Sequence, residues 1–230
     1  MKSANRTARF AATLLLVLTV AAPAQWNKKP YTEWSEKEAQ KVLEDSPWAQ
    51  TQTFSDTSLA FTRSRVADVS HINFRIRFLS ATPVRQAFSR LIGLKQKDAM
   101  NEQLAEKLRG FAQPGAFPDY VVISVDVEAK EQRGQLQEAT LLVRNRTTAE
   151  LKHNTYLMGN GGQRVFLKEF RPPTRDGLGA NFVFPRLVDG KPYITEESDE
   201  VRFYCEFSKD YTLNMRFKVK DMMLDGKLEY

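Results

Sequence analysis

The stretch His71-Ile-Asn-Phe-Arg-Ile-Arg-Phe-Leu-Ser80, followed by Thr82-Pro-Val-Arg-Gln-Ala-Phe-Ser-Arg-Leu-Ile-Gly93, decides the fold class. In the first part Ile72, Phe74, Ile76 and Phe78 alternate with Asn73, Arg75 and Arg77. A period of two is the mark of a half-buried strand. In the second part Val84, Phe88, Leu91 and Ile92 share one face at helical spacing. Thr82-Pro83 suits a helix start, with proline at its first position, and Gly93 is the expected stop. Strand and helix therefore follow one another within a short span.

Outward from this stretch the two periods segregate. A second helix is expected from about Gln96 to Gly110, with Met100, Leu104 and Leu108 on one face. Pro114-Gly115 and Pro118 make a loop, and Tyr120–Val127 is a strand rich in valine and isoleucine. Upstream, Ser35 and Glu38 form a capping box for a short helix, with Trp34 and Ala39 in the staple positions. Ser46-Pro47 ends that helix and Trp48 follows, so two tryptophans bracket it and should pin it to a core. Residues 50–70 are polar and weakly patterned. Residues 129–153 suit either a strand or a helix around Ala139–Val143, and mark a sub-boundary within one domain spanning 25–230.

From residue 155 the pattern is mostly β. Gly159-Asn-Gly-Gly162 separates Thr155–Met158 from Arg164–Phe170 as a hairpin loop. Arg171–Gly179 is a loop and Asn181–Leu187 a strand. Val201, Phe203, Cys205 and Phe207 point inward, as do Tyr211, Leu213, Met215, Phe217 and Val219. Asp225-Gly226 makes a last turn. The expected fold is α+β. A strand-helix-helix-strand half joins a mostly antiparallel β meander, with the N-terminal helix packed outside.

Residues 1–24 read as a targeting segment. Lys2, Arg6 and Arg9 precede an apolar run from Phe10 to about Ala22, and Ala22-Pro23-Ala24 is a small-x-small cleavage step. The run is shorter than the ~20 residues of a bilayer span. The expected mature protein begins at Gln25, with 206 of the 230 residues; an uncleaved signal-anchor is the alternative. The expected location is the periplasm or the outside of the cell, with no transmembrane span after cleavage. The 34 basic side chains less those three, against 28 acidic ones, leave a charge of +3. That balance gives no reason to expect a nucleic-acid partner. The single cysteine, Cys205, permits no internal disulfide.

Recognisable chemistry is sparse. His71 and His153 lie outside any zinc-ligand spacing, so no metal and no cofactor are expected. Asp98, Glu102 and Glu106, and the turn Glu196-Glu197-Ser198-Asp199-Glu200, read as solvated acidic faces. No nucleophile motif appears, and Cys205 sits on an apolar strand face as an inert thiol. Gly159–Gly162 lacks the ending of a phosphate loop. One surface pattern stands out. Arg75 and Arg77 on one strand, and Arg216, Lys218 and Lys220 on another, point away from the apolar side. If those strands share a sheet, a basic face results, suited to an anionic polymer of the cell envelope. Basic residues also guard sheets against edge pairing.

The stretches WSEKEAQKVLEDSPWA (34–49), DGLGANFVFPR (176–186) and KDMMLDGKLEY (220–230), with TPVRQA at 82–87, resemble a recurring class of short exported proteins from soil bacteria that carry no assigned activity. The resemblance implies export and one compact unit, and it carries over no catalytic residue. Two functions are therefore expected as alternatives. One is a non-enzymatic structural or binding protein of the envelope, whose partner is an anionic polymer or another envelope protein. The other is an exported hydrolase with a carboxylate pair such as Asp126 with Glu169 or Asp176.

Overall fold

The computed structural model describes residues 29–56, 70–129 and 133–230. The expected signal peptide, Trp26 and residues 57–69 lie outside the described residues. The architecture is α+β, with five α-helices and thirteen strands among the described residues. In chain order these are α1 (Glu36–Glu44), β1 (Ala49–Asp56), β2 (Ser70–Phe78), α2 (Thr82–Lys95), α3 (Glu102–Ala112), β3 (Tyr120–Ala129), α4 (Arg133–Arg144), α5 (Thr148–Leu151), β4 (Thr155–Met158), β5 (Arg164–Phe166), β6 (Glu169–Arg171) and β7 (Ala180–Pro185). The remainder are β8 (Leu187–Val188), β9 (Lys191–Pro192), β10 (Glu200–Glu206), β11 (Thr212–Lys218), β12 (Met223–Leu224) and β13 (Lys227–Leu228). No described helix is long and apolar enough to cross a membrane.

Local signals set the helix ends. Ser35 accepts from the Glu38 amide, and Glu38 accepts from the Ser35 amide at 2.7 Å, closing the capping box. The Ser35 hydroxyl, which also donates to the Glu38 carboxylate at 2.7 Å, then Lys29 at 2.9 Å and the Ser35 amide, hold the Glu38 carboxyl well below the usual carboxylate range, at about 2. α2 runs through Gly93 to Lys95 rather than stopping at the glycine. Met100 packs over that glycine, where a Cβ would already be in contact. Pro83 is the second helical residue, and α3 begins at Glu102 under an Asn101 cap, later than its periodicity suggests. Buried Arg85 clamps the two helices by donating to the Phe111 and Gln113 carbonyls at 2.7 and 2.5 Å. Burial pushes its pKa down to about 10. The ambiguous run around Ala139–Val143 is helical, with both of those residues buried.

Apart from the two-stranded ribbons β8-β9 and β12-β13, the described strands form two antiparallel sheets. The first has the order β1-β2-β3-β7-β6 and the second β11-β10-β4-β5. The strands after residue 155 divide between the two sheets: β6 and β7 join β2 and β3 in the first, and β4, β5, β10 and β11 form the second. β1 was hidden in the sequence because it is an edge strand with polar residues at alternating positions, Gln50 and Gln52 among them.

The sheets face each other across an aromatic core. Phe78 meets Phe217 at 4.9 Å between ring centroids, Phe182 meets Phe203 at 5.3 Å, and Phe74 stacks on Phe207 at 6.3 Å. Both edges are closed. At one, the chain steps from β5 to β6. The Leu167 amide bonds Thr155 in the second sheet, and the next amide, Lys168, bonds Val183 in the first. At the other edge the Gln52 side chain takes the place of a backbone peptide. Its Nε2 donates to the Thr212 carbonyl and its Oε1 accepts from the Asn214 amide, both at 2.8 Å. The result is a flattened barrel filled by phenylalanine. Gln52→Ala should remove about 1–2 kcal/mol of stability. It should also speed hydrogen exchange at the Asn214 amide; unchanged exchange there would show that the seam is closed by something else.

Candidate functional site

The helices α1 and α2 lie on the outward face of the first sheet, where Arg75 and Arg77 point. Arg77 is buried. Its Nε donates to the Leu43 carbonyl at 2.8 Å and its guanidinium lies 5.5 Å from the Phe88 ring centroid. Desolvation pushes its pKa down. Arg75 is tied to Glu44 at 2.8 Å and Glu128 at 2.7 Å. The expected shared basic face is therefore not formed: β2 and β11 belong to different sheets, and Arg77 is covered. Alternation tells which side of a strand a residue takes. It does not tell what packs on that side.

The outward face of the second sheet differs. Val201, Phe203, Cys205, Leu213, Phe217, Leu157 and Val165 are buried toward the core. Period two then turns Arg202, Tyr204, Asn214, Arg216, Tyr156, Met158, Arg164 and Phe166 the other way. The strand register orders them into two adjacent rows. Arg216 faces Arg202, Arg202 faces Met158, and Met158 faces Arg164. In the next row Asn214 faces Tyr204, Tyr204 faces Tyr156, and Tyr156 faces Phe166.

The aromatic row is a continuous stack. Tyr204 and Tyr156 are nearly parallel, 15° apart in plane and 4.8 Å between centroids. The Arg164 guanidinium lies 4.4 Å from the Tyr156 centroid, and Phe166 meets Tyr156 edge-on at 5.8 Å. Phe166 is 47% exposed, one of three large apolar residues left exposed among the described residues.

The arginine row sets two like charges side by side. Arg202 and Arg216 are direct cross-strand neighbours, an arrangement that destabilises a sheet when the charges are alike. Glu200 stands 3.7 Å from one and 3.8 Å from the other, beyond good hydrogen-bond length. The buried Arg202 Nε has no hydrogen-bond partner among the described residues. Of the sequence-expected residues, Arg216 and Lys218 lie on this face, Lys218 opposite Glu200. Lys220 is exposed in a 3-10 turn past the strand end. Arg202, Tyr204, Tyr156, Arg164 and Phe166 were missed. The alternation of Val201–Phe207 already placed Arg202 and Tyr204 outward, but register alone brings them beside Arg216.

The carboxylate pair is not assembled from Asp126 and Glu169. Asp126 lies four residues along β3 from Val122, and Glu169 reaches Val122 only through Val183 on β7. Strand geometry puts them roughly 16 Å apart, against at most about 9.5 Å for paired glycosidase carboxylates. Arg171 holds Glu169 at 2.8 and 3.0 Å. Asp176 accepts from the Leu178 amide at 2.9 Å and shapes its own turn. His71 sits 2.9 Å from the Ser55 hydroxyl. Among the described residues no group of three His, Cys, Asp or Glu side chains could hold a metal.

Cys205 is buried and accepts from the Thr155 hydroxyl at 3.3 Å. Burial pushes its thiol pKa up to about 12. A thiol reagent at neutral pH should label it slowly in the native protein and quickly in denaturant. Fast native labelling would contradict the placement of β10. No protein-family model, no curated protein and no solved structure shows a significant match to this chain, and the outward face of the second sheet itself carries the functional reading.

Proposed function

We propose that the protein is exported and acts without catalysis as a binding protein of the cell envelope, holding an anionic polymer on the outward face of the second sheet. The directly opposed Arg202 and Arg216, with Glu200 at 3.7 and 3.8 Å as their one ion-pair partner among the described residues, carry this reading. A pair that weakens its own sheet is the kind of local conflict expected at a site with a function. An acidic group placed between the two guanidiniums relieves the repulsion and gains charge-assisted hydrogen bonds. The charge-patterned first 24 residues support export.

Titration of the purified protein with an acidic polymer at low ionic strength tests the binding. Arg216→Gln and Arg202→Gln should each weaken it about tenfold, a loss of about 1.4 kcal/mol per contact. Added salt should weaken the unmodified protein. Arg216→Gln should leave the melting temperature equal or slightly higher, because it removes a like-charge neighbour. No binding at low salt, or binding indifferent to both substitutions, would sink the proposal. N-terminal sequencing of the exported protein should begin at Gln25; an intact Met1 on membrane-bound protein would replace export with a signal-anchor.

A further inference from the structure

We infer that the polymer is an acidic polysaccharide: a chain of sugar rings with carboxylates at intervals, rather than a dense polyphosphate or a nucleic acid. This rests on the proposed polyanion binding and narrows it.

The first argument is charge density. Arg164, Arg202, Arg216 and Lys218 share the face with Glu200 and Glu206. Among the described residues Glu206 is in no ion pair, and it accepts from the Tyr204 hydroxyl at 3.4 Å. A strand of closely spaced phosphates laid across the rows would meet both carboxylates. A polysaccharide presents hydroxyl donors between its charges, and Glu206, Asn214 and the tyrosine hydroxyls can accept from them. Arginine also suits the planar carboxylate, which it can hold through two parallel N–H donors.

The second argument is the row of rings. The arginine and aromatic rows are two residues apart along each strand, about 7 Å. A polymer running across the strands over Arg216 and Arg202 therefore passes beside Tyr204, Tyr156 and Phe166. Tyr204 covers one face of Tyr156 and Arg164 the other, at 4.8 and 4.4 Å, so Tyr156 is a rigid support rather than a stacking partner. Phe166 is open to solvent. The C–H face of a pyranose is apolar and weakly positive, and it matches the negative face of an aromatic ring. The stacked tyrosines hold Phe166 beside the charged row, so a sugar ring can lie over it while a neighbouring carboxylate sits between Arg202 and Arg216.

The test compares four probes on the whole exported protein at one ionic strength: polygalacturonate, with rings and carboxylates; poly-glutamate, with carboxylates alone; polyphosphate; and single-stranded DNA. Polygalacturonate should bind at least tenfold more tightly than poly-glutamate. Phe166→Ala should lose about tenfold toward polygalacturonate and nothing toward poly-glutamate, and Phe166→Tyr should restore the loss. Because Phe166 is exposed, Phe166→Ala should keep the native melting temperature, which separates a binding effect from misfolding. Equal affinity for poly-glutamate, tighter binding of polyphosphate or DNA, or a silent Phe166→Ala would overturn the inference and leave polyanion binding standing. Failure of all four probes to bind would overturn both.

Discussion

Trp48→Ala should lower stability by about 4 kcal/mol, in the range of buried aromatic truncations. For a chain of this size that is roughly 8–16 °C in melting temperature. Trp48 is fully buried, and its indole N–H donates to the Glu229 carbonyl at 2.7 Å. Its own carbonyl accepts from the Phe78 amide at 2.9 Å. One residue thus ties the end of α1 to the last turn of β2 and to the C-terminal tail. Truncation leaves a cavity and an unpaired carbonyl together. Trp34→Ala should also be clearly destabilising. Trp34 is buried, and its indole N–H donates to the Lys29 carbonyl at 3.3 Å. Urea and thermal unfolding measure both. A shift under about 2 °C for Trp48→Ala would mean that the segment before β1 is not part of the core.

The second large effect is expected from a single methyl group. Gly179 has φ +81°, and a Cβ there would stand 2.5 Å from the Val125 carbonyl oxygen and 2.9 Å from its carbon. β3 cannot yield, because it is paired on both sides, to β2 and to β7. The left-handed backbone costs about 1–2 kcal/mol for an alanine, and the overlap adds about 1–3 kcal/mol. Gly179→Ala should therefore cost roughly 2–5 kcal/mol. Gly177 provides the control: its φ is +77° but nothing lies within 4 Å of its Cβ position. Gly177→Ala should show the backbone part alone. Equal losses at the two positions would refute the close approach of the 171–179 loop to β3. The sequence motif Asp-Gly-Leu-Gly at 176–179 is thus explained as a turn closed by Asp176, ending in a glycine pressed onto a strand.

What could be read from the sequence was what is local. The alternation in β2, β10 and β11 and the capping box of α1 are properties of a few adjacent residues, and the structure places them as expected. What could not be read depends on residues far apart in the chain. Gln52 looks like any polar residue until β11, 160 positions later, lies beside it. Arg77 looks exposed until α1 and α2 close over it. β6 and β7 lie in sequence between the strands of the second sheet and join the first. The candidate site divides in the same way. Arg216 and Lys218 were legible on their strand, but whether Arg75 and Arg77 join them depends on β2 and β11 sharing a sheet, and they do not. Arg202, Tyr156 and Phe166 became neighbours only through register.

Mapping of amide and arginine side-chain shifts by two-dimensional NMR, during titration of the exported protein with polygalacturonate at low salt, tests the central claim most directly. The predicted result is a contiguous set of shifted signals in β4, β5, β10 and β11, led by the Arg202 and Arg216 side chains, with Arg75 and Arg77 unmoved. Shifts centred on α1 and β2, or none at Arg202 and Arg216, would contradict the assignment of the binding face.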